Sequence, residues 1–359
     1  MKVFLAVASL DPKYGGPAYS VSQLARALAD SGSTVGLWAP DGSAAASDLV
    51  VDHPGIARLR GSAAEALEAF GRPDVLHDNG IWLPHNHRLA QLADRQGVPR
   101  IVSVRGMLEP WARRHKGLKK AIAWALYQRR DLRRARALHA TAEAEGQTLR
   151  ALGLGRPVHT IANGVDLPEA PSSSAKASPR TALFLGRIYP VKGLPMLIEA
   201  WASVRPDGWR LKIAGPDEAG HLAQVQRLVE ARGLRGVVEF PGPVGGAAKE
   251  ALFKEAELFV LPSHSESFGM AVAEALAHSL PVLTTTAAPW PMLEERDCGW
   301  RVEPTAAAIA KALAAATAST PERLAAKGAN GRRLVAQSYS WDSAAGSFLR
   351  VYEDAVAGT

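Results

Sequence analysis

One cysteine, Cys298, stands among 359 residues, which excludes an internal disulfide and any metal site built on several thiolates. Lying just before Gly299, it reads as a small residue near a turn. No apolar run approaches the roughly 20 residues needed to span a bilayer. Met1-Lys2 leads directly into VFLAVASL, too short for a signal peptide and without a cleavage site, so the expected location is the cytoplasm. The first glycine loop lacks the Gly-x-Gly-x-x-Gly fingerprint, which counts against a nicotinamide or flavin cofactor there. No Asp-x-Asp pair offers itself to a divalent cation.

Acidic residues are also scarce where basic ones crowd. Between Arg113 and Arg136 the chain carries ten Lys/Arg against the single acid Asp131, within a net charge of +7. Leu118, Ile122, Ala125 and Leu126 form an apolar stripe on that stretch, and Trp124 and Tyr127 sit within it. The pattern fits contact with anionic lipid headgroups, and it equally fits a solvated helix face. Nucleic acid is not expected, since no recognised binding motif accompanies the charge.

What is present is a repeated alternation of strands and helices. The length exceeds one ordinary core, and 47% apolar residues is the composition of a globular protein. KVFLAV, VGLWAP, DVLHDNG, RIVSVRG and ALHATA read as strands with helical segments between them, the signature of a mostly parallel sheet covered on both faces. The helix after the first strand carries Val21, Leu24, Ala25 and Leu28 at helical spacing and ends at Gly32. After a Ser/Ala/Pro stretch the pattern restarts with TALFLGRI, RLKIAGP, VVEFPGPV, LFVLPS, PVLTTTA and GWRVEP. The expected architecture is two Rossmann-like doubly wound α/β domains: 1–168, a linker 169–179, and 180–340. A last helix, 341–359, returns to the first domain.

The second half carries the chemistry. Leu258 to Leu261 suits a buried strand that stops at Pro262 and opens a helix near Phe268-Gly269, where free N–H groups and the helix dipole favour a ligand. Glu266 and Glu274 flank that opening with seven residues between them, and an early helix start would put them on one side of it. After the first strand of this half, LGRIYPVKG sets Arg187 and Lys192 around Pro190, a fork and a point charge suited to a diphosphate.

Together, Gly186-Arg187, Lys192-Gly193, Pro262-Ser263, Glu266-Ser267-Phe268-Gly269, Glu274-Ala275 and Pro281-Val282 resemble the donor-binding half of the family-4 retaining glycosyltransferases of GT-B fold, with their Glu-x7-Glu motif. Asn163-Gly164-Val165-Asp166, Tyr339-Ser340-Trp341 and the Gly15-Gly16 loop extend the likeness over nearly the whole chain. The resemblance implies two domains facing a cleft and transfer of a hexose from a nucleoside-diphosphate sugar, with retention, to a glycan or lipid-linked saccharide acceptor, in polysaccharide or glycolipid assembly. It implies that Arg187 and Lys192 hold the diphosphate and, with Glu266, form the catalytic set. Glu266 accepts from sugar hydroxyls, Ser267, Phe268, Gly269 and Met270 approach the donor through their backbone, and Glu274 binds ribose. Gly15 and Gly16 let the first domain's loop approach the phosphates, with no cofactor and no metal.

Acceptor-binding candidates are Asn79, Trp82, Arg105 and Trp111, with Met107 beside them. One departure stands out: many members have His-Gly where this chain has Arg105-Gly106, and arginine cannot serve as a general base. Arg105 is expected to bind an anionic group or to pair with Glu109. The expected partners are thus a nucleotide-sugar donor, a saccharide acceptor and an anionic membrane surface through Arg113–Arg136 on the inner face of the plasma membrane. The rival readings are a nucleotide-sugar epimerase or hydrolase of similar fold, and a non-catalytic nucleotide-sugar-binding protein.

Overall fold

The computed structural model describes residues 1–109, 112, 117–169 and 179–358. Trp111, Arg113, Arg114, His115 and Lys116 lie outside the described residues, as does most of the expected linker, 170–178. The chain forms two compact units, one of Met1–Gly164 with Tyr339–Thr359 and one of Val165–Ser338.

The first unit is built on seven parallel strands: β1 (Lys2–Val7), β2 (Thr34–Trp38), β3 (Ile56–Arg58), β4 (Val75–Asn79), β5 (Arg100–Ser103), β6 (Ala137–Ala140) and β7 (Val158–Thr160), in the order β3-β2-β1-β4-β5-β6-β7. Val3 to Val7 are fully buried, as expected of a central strand covered on both faces. The helix Gly16–Asp30 follows β1. Its Val21, Leu24, Ala25 and Leu28 face inward, and its entry is set by Gly15 at φ 83°, a conformation that favours glycine.

The last helix, Trp341–Ala357, is capped by the Ser340 hydroxyl, which accepts from Ser343 N–H, and it packs along the first helix. Gly164 makes room for it: a Cβ there would fall 2.5 Å from the Trp341 ring. A buried polar chain then ties the helix to three strands. Tyr352 Oη lies 2.6 Å from His77 Nδ1, His77 Nε2 lies 2.6 Å from Ser103 Oγ, Ser103 Oγ lies 2.6 Å from His139 Nδ1, and His139 Nε2 lies 2.8 Å from Ile161 O. The carbonyl can only accept, so His139 Nε2 donates, and the donors then run one way: Tyr352 to His77, His77 to Ser103, Ser103 to His139. Both imidazoles are neutral in this arrangement. Burial pushes His77 well below its usual range, and burial with the Arg105 charge brings His139 down to about 3.

The second unit holds six parallel strands: β8 (Arg180–Leu185), β9 (Trp209–Ala214), β10 (Val238–Gly242), β11 (Leu258–Leu261), β12 (Val282–Thr285) and β13 (Gly299–Val302), in the order β10-β9-β8-β11-β12-β13. Every pairing is parallel, which helices crossing between strands require. Among the described residues no helix is long and apolar enough to cross a membrane.

The buried histidines make stability depend on pH. Each is neutral in the fold and protonates near 6.5 when unfolded, so its contribution is complete above that value and is lost as pH falls toward its depressed folded value, at about 1.4 kcal/mol per pH unit. Burial raises Asp78 to about 6, so it acts in the opposite sense: the fold gains as pH falls from 6 toward the ordinary 3.8. Two groups against one leave a net loss between pH 6.5 and 4.5, measurable as a falling urea midpoint. His139→Gln is expected to flatten that fall below pH 6, and an unchanged slope would contradict the assignment.

Candidate functional site

In the second sheet β8 and β11 are neighbours although they are not consecutive, so the chain leaves their carboxyl ends in opposite directions. Ligands bind outside such a switch point in parallel sheets. After β8 the chain makes a 3-10 turn, Pro190–Lys192, and enters the helix Leu194–Val204 through Gly193 at φ 67°. A Cβ on Gly193 would stand 2.1 Å from Pro262 O, so the loops after β8 and β11 touch backbone to backbone. His264 N–H donates to Val191 O at 2.7 Å, and Thr285 Oγ1 donates to Ser263 O at 2.5 Å.

This approach brings Lys192 and Glu266 together. Lys192 Nζ donates to Glu266 Oε1 at 2.6 Å, and Ser263 Oγ donates to the same oxygen at 2.5 Å. The two charged side chains are only 16% and 10% exposed, so each needs the other's charge. Glu266 precedes the helix, which runs Met270–Ala277 from Gly269 at φ 84°. The early helix start that would align Glu266 with Glu274 is therefore not what forms; Glu266 stands on the turn and Glu274 on the helix. Ser267, Phe268 and Gly269 make the entry to Met270, held by Trp290, whose Nε1 donates to Phe268 O at 2.6 Å.

Two partners escaped sequence reasoning. Glu274 Oε1 accepts from Lys249 Nζ at 2.7 Å, and Arg187 donates to Glu218 Oε2 at 2.5 Å. Glu218 lies on the connection after β9 and Lys249 on the helix Gly246–Glu255 after β10, both apart from the motifs in the chain, and nothing in their local sequence marks them. The Arg187–Glu218 pair is about 40% exposed on each side (38% and 41%), and such a pair contributes only about 0–1 kcal/mol, so an incoming anion can replace it.

In the first unit, Gly15 and Gly16 start the helix after β1, and Asn79, Trp82 and Arg105 lie at or beyond the carboxyl ends of β4 and β5. Arg105 sits at φ 57° with its guanidinium turned inward. It donates to Asn79 Oδ1 at 2.6 Å, Asn163 Oδ1 at 3.1 Å and Ser20 Oγ at 3.2 Å, while its buried Nε has no partner among the described residues. The expected pairing with Glu109 does not form. The acid acting on Arg105 is Glu145, which opposes the desolvation that lowers the guanidinium to about 10. Glu145 is in turn held by Gly106 N–H at 2.5 Å and by Thr141 N–H at 2.7 Å. Met107 accepts from the Trp82 indole through its carbonyl at 3.3 Å. His77 is spent in the buried chain, and His87 lies 2.6 Å from Asp131.

The Glycosyl transferases group 1 family matches residues 168–353, and the Glycosyl transferase 4-like domain matches residues 15–164. The chain is a glycosyltransferase of group 1.

This glycosyltransferase is 31% identical to the GDP-mannose:cellobiosyl-diphosphopolyprenol alpha-mannosyltransferase of Xanthomonas campestris, over 79% of the chain and 78% of the relative. It is 30% identical to the D-inositol 3-phosphate glycosyltransferase of Streptomyces scabiei, over 80% and 69%. Among solved structures, sucrose-phosphate synthase from Thermosynechococcus elongatus matches with a TM-score of 0.85 at 20% identity, covering all of both chains. Anabaena HepE in complex with UDP-glucose matches at 0.75 and 17%, over 99% and 100%. The glycosyltransferase thus has the GT-B fold, two Rossmann-like α/β domains.

The contact of the loops after β8 and β11 depends on glycine at 193. Gly193→Ala meets both a left-handed backbone and the Pro262 carbonyl, and is expected to cost at least about 2 kcal/mol. A thermal melt lowered by less than about 4 °C would show that the loops can part without loss.

Proposed function

We propose that this glycosyltransferase moves a hexose from a nucleoside-diphosphate sugar to a hydroxyl of a glycan or lipid-linked saccharide, with retention and without a metal, in polysaccharide or glycolipid assembly. The observation that carries the reading is the Lys192–Glu266 contact at the β8/β11 switch point, with Arg187 on the same loop after β8 as Lys192. Lys192 has two further N–H donors and Arg187 exchanges an exposed partner for phosphate oxygens, so both cations meet the diphosphate as its charge grows. Glu266, held by Lys192 and Ser263, accepts from sugar hydroxyls. Glu274 accepts from ribose in place of Lys249, and the turn Ser267–Met270 presents backbone N–H groups ahead of the first intrahelical acceptor. Gly15 and Gly16 present the first unit's loop to the phosphates.

In the transfer, the bond from the anomeric carbon to the phosphate oxygen breaks, and the acceptor oxygen bonds that carbon on the same face. The acceptor proton passes to the leaving diphosphate. Asn79, Trp82, Arg105 and Trp111 are assigned to the acceptor side. Arg105 acts there by holding Asn79, Asn163 and Ser20 in place, since its terminal nitrogens are already engaged. A relative named for a diphosphopolyprenol-linked acceptor supports a lipid-borne acceptor, and with it a peripheral position on the inner membrane face.

The test is release of nucleoside diphosphate from a panel that includes GDP-mannose and UDP-glucose, with a polyprenyl-diphosphate disaccharide as acceptor. Turnover by the wild type is expected, and Lys192→Ala and Glu266→Ala are expected to lower kcat by about a hundredfold or more. Tight nucleotide binding with no turnover for any donor would turn the reading to a binding protein. A product of inverted anomeric configuration would remove the retaining assignment.

A further inference from the structure

After β5 a helix runs Gly117–Ala123, makes one π-helical turn Trp124–Gln128 and continues Arg129–Arg134. Three residues of the π turn close on Trp82. Gln128 Oε1 accepts from Trp82 N–H at 2.8 Å, Tyr127 O–H donates to Trp82 O at 2.7 Å, and the Trp124 ring lies 6.1 Å from the Trp82 ring. Both aromatics of the basic stretch therefore face the protein, not an outer interface. Trp82 is itself held at φ 79°, so the clamp fixes a backbone that would otherwise relax.

The π turn shapes the outer side as well. In an uninterrupted α-helix, positions four apart drift around the axis. A turn that takes in an extra residue reduces that drift over the step from Ile122 to Leu126, the one that enters the π turn. Leu118, Ile122 and Leu126 are 78%, 52% and 70% exposed, the highest values of any large aliphatic side chain among the described residues. Lys119, Arg129, Arg130 and Arg133 are exposed around them and make no ion pair among the described residues. The one acid of the helix, Asp131, is buried against His87, and Arg134 is taken by Asp94 at 3.0 Å. The outer face is thus aliphatic and cationic, with no acid on it.

A nucleic acid would satisfy the cations and leave the aliphatic stripe in water. An anionic bilayer satisfies both, with phosphates for the cations and acyl chains for the stripe. We propose that this helix lies in the plane of an anionic lipid surface, with Leu118, Ile122 and Leu126 inserted and Lys119, Arg129, Arg130 and Arg133 on the headgroups. Through its clamp on Trp82 it holds the loop after β4 at that surface. The purpose of the docking, presenting a lipid-borne acceptor to that loop, rests on the proposed function; the docking itself does not.

Flotation of the full chain with phosphatidylcholine vesicles, with and without phosphatidylglycerol, tests it. The wild type is expected to float only with the anionic vesicles. Arg129→Gln/Arg130→Gln/Arg133→Gln is expected to weaken binding about fivefold per arginine, roughly a hundredfold in all. Leu118→Ser/Ile122→Ser/Leu126→Ser is expected to lose at least about tenfold. All six side chains are exposed, and an unchanged thermal melt confirms that the variants fold. Hydrogen exchange at residues 81–83 is expected to slow on anionic vesicles in the wild type but not in the Ser variant. A wild type that does not float, that binds an oligonucleotide in place of vesicles, or that floats as well after either triple change overturns the docking. Flotation without slowed exchange overturns the clamp. Intact diphosphate release without flotation sinks this proposal alone, and flotation without turnover sinks only the enzymatic reading.

Discussion

The second unit turns on a close approach of two backbones. Gly193, in a left-handed conformation, lies against the carbonyl of Pro262, and no side chain fits between them. Because β8 and β11 are adjacent at the switch point, that approach carries Lys192 and Glu266 into a 2.6 Å contact across 74 residues of sequence. Charge pairing at so little exposure is costly unless it is satisfied, and Ser263 supplies a further donor to the same carboxylate oxygen. Cation, carboxylate and helix entry are thus arranged before any ligand arrives.

The first unit solves a comparable problem with neutral groups. Two imidazoles, a serine and a tyrosine pass hydrogen bonds in one direction from the last helix across β4, β5 and β6 to a carbonyl. Arg105 is buried among amide and hydroxyl oxygens, with Glu145 as the acid acting on it. Its charge contributes to keeping His139 neutral, so one cation both organises the strand ends and helps set the state of the chain beneath them. Arg105 and Asn79, both expected at the acceptor side, are therefore embedded in the scaffold that supports them.

The basic helix shows where a sequence pattern misses the direction of individual side chains. Trp124 and Tyr127 have the composition of interfacial anchors, yet they point inward at Trp82. What faces outward is the aliphatic stripe. Periodicity alone assumes an unbroken α-helix, and one extra residue in a turn is invisible to it. Glu218 and Lys249 were missed for another reason: each meets its partner only after separate strands have been ordered in a sheet.

The sequence by itself determined the alternation of strands and helices, the restart of the pattern in the second half, and the order of Arg187, Lys192, Glu266 and Glu274, because these depend on local periodicity, turn residues and spacing. Tertiary structure alone decided which charges meet. It paired Arg187 with Glu218 and Glu274 with Lys249, turned Arg105 away from Glu109 toward Asn79 and Asn163, and set Glu266 on the turn instead of the helix. The physical reason is that a side chain's partner is chosen by strand order and backbone approach, and neither is encoded within the reach of one motif.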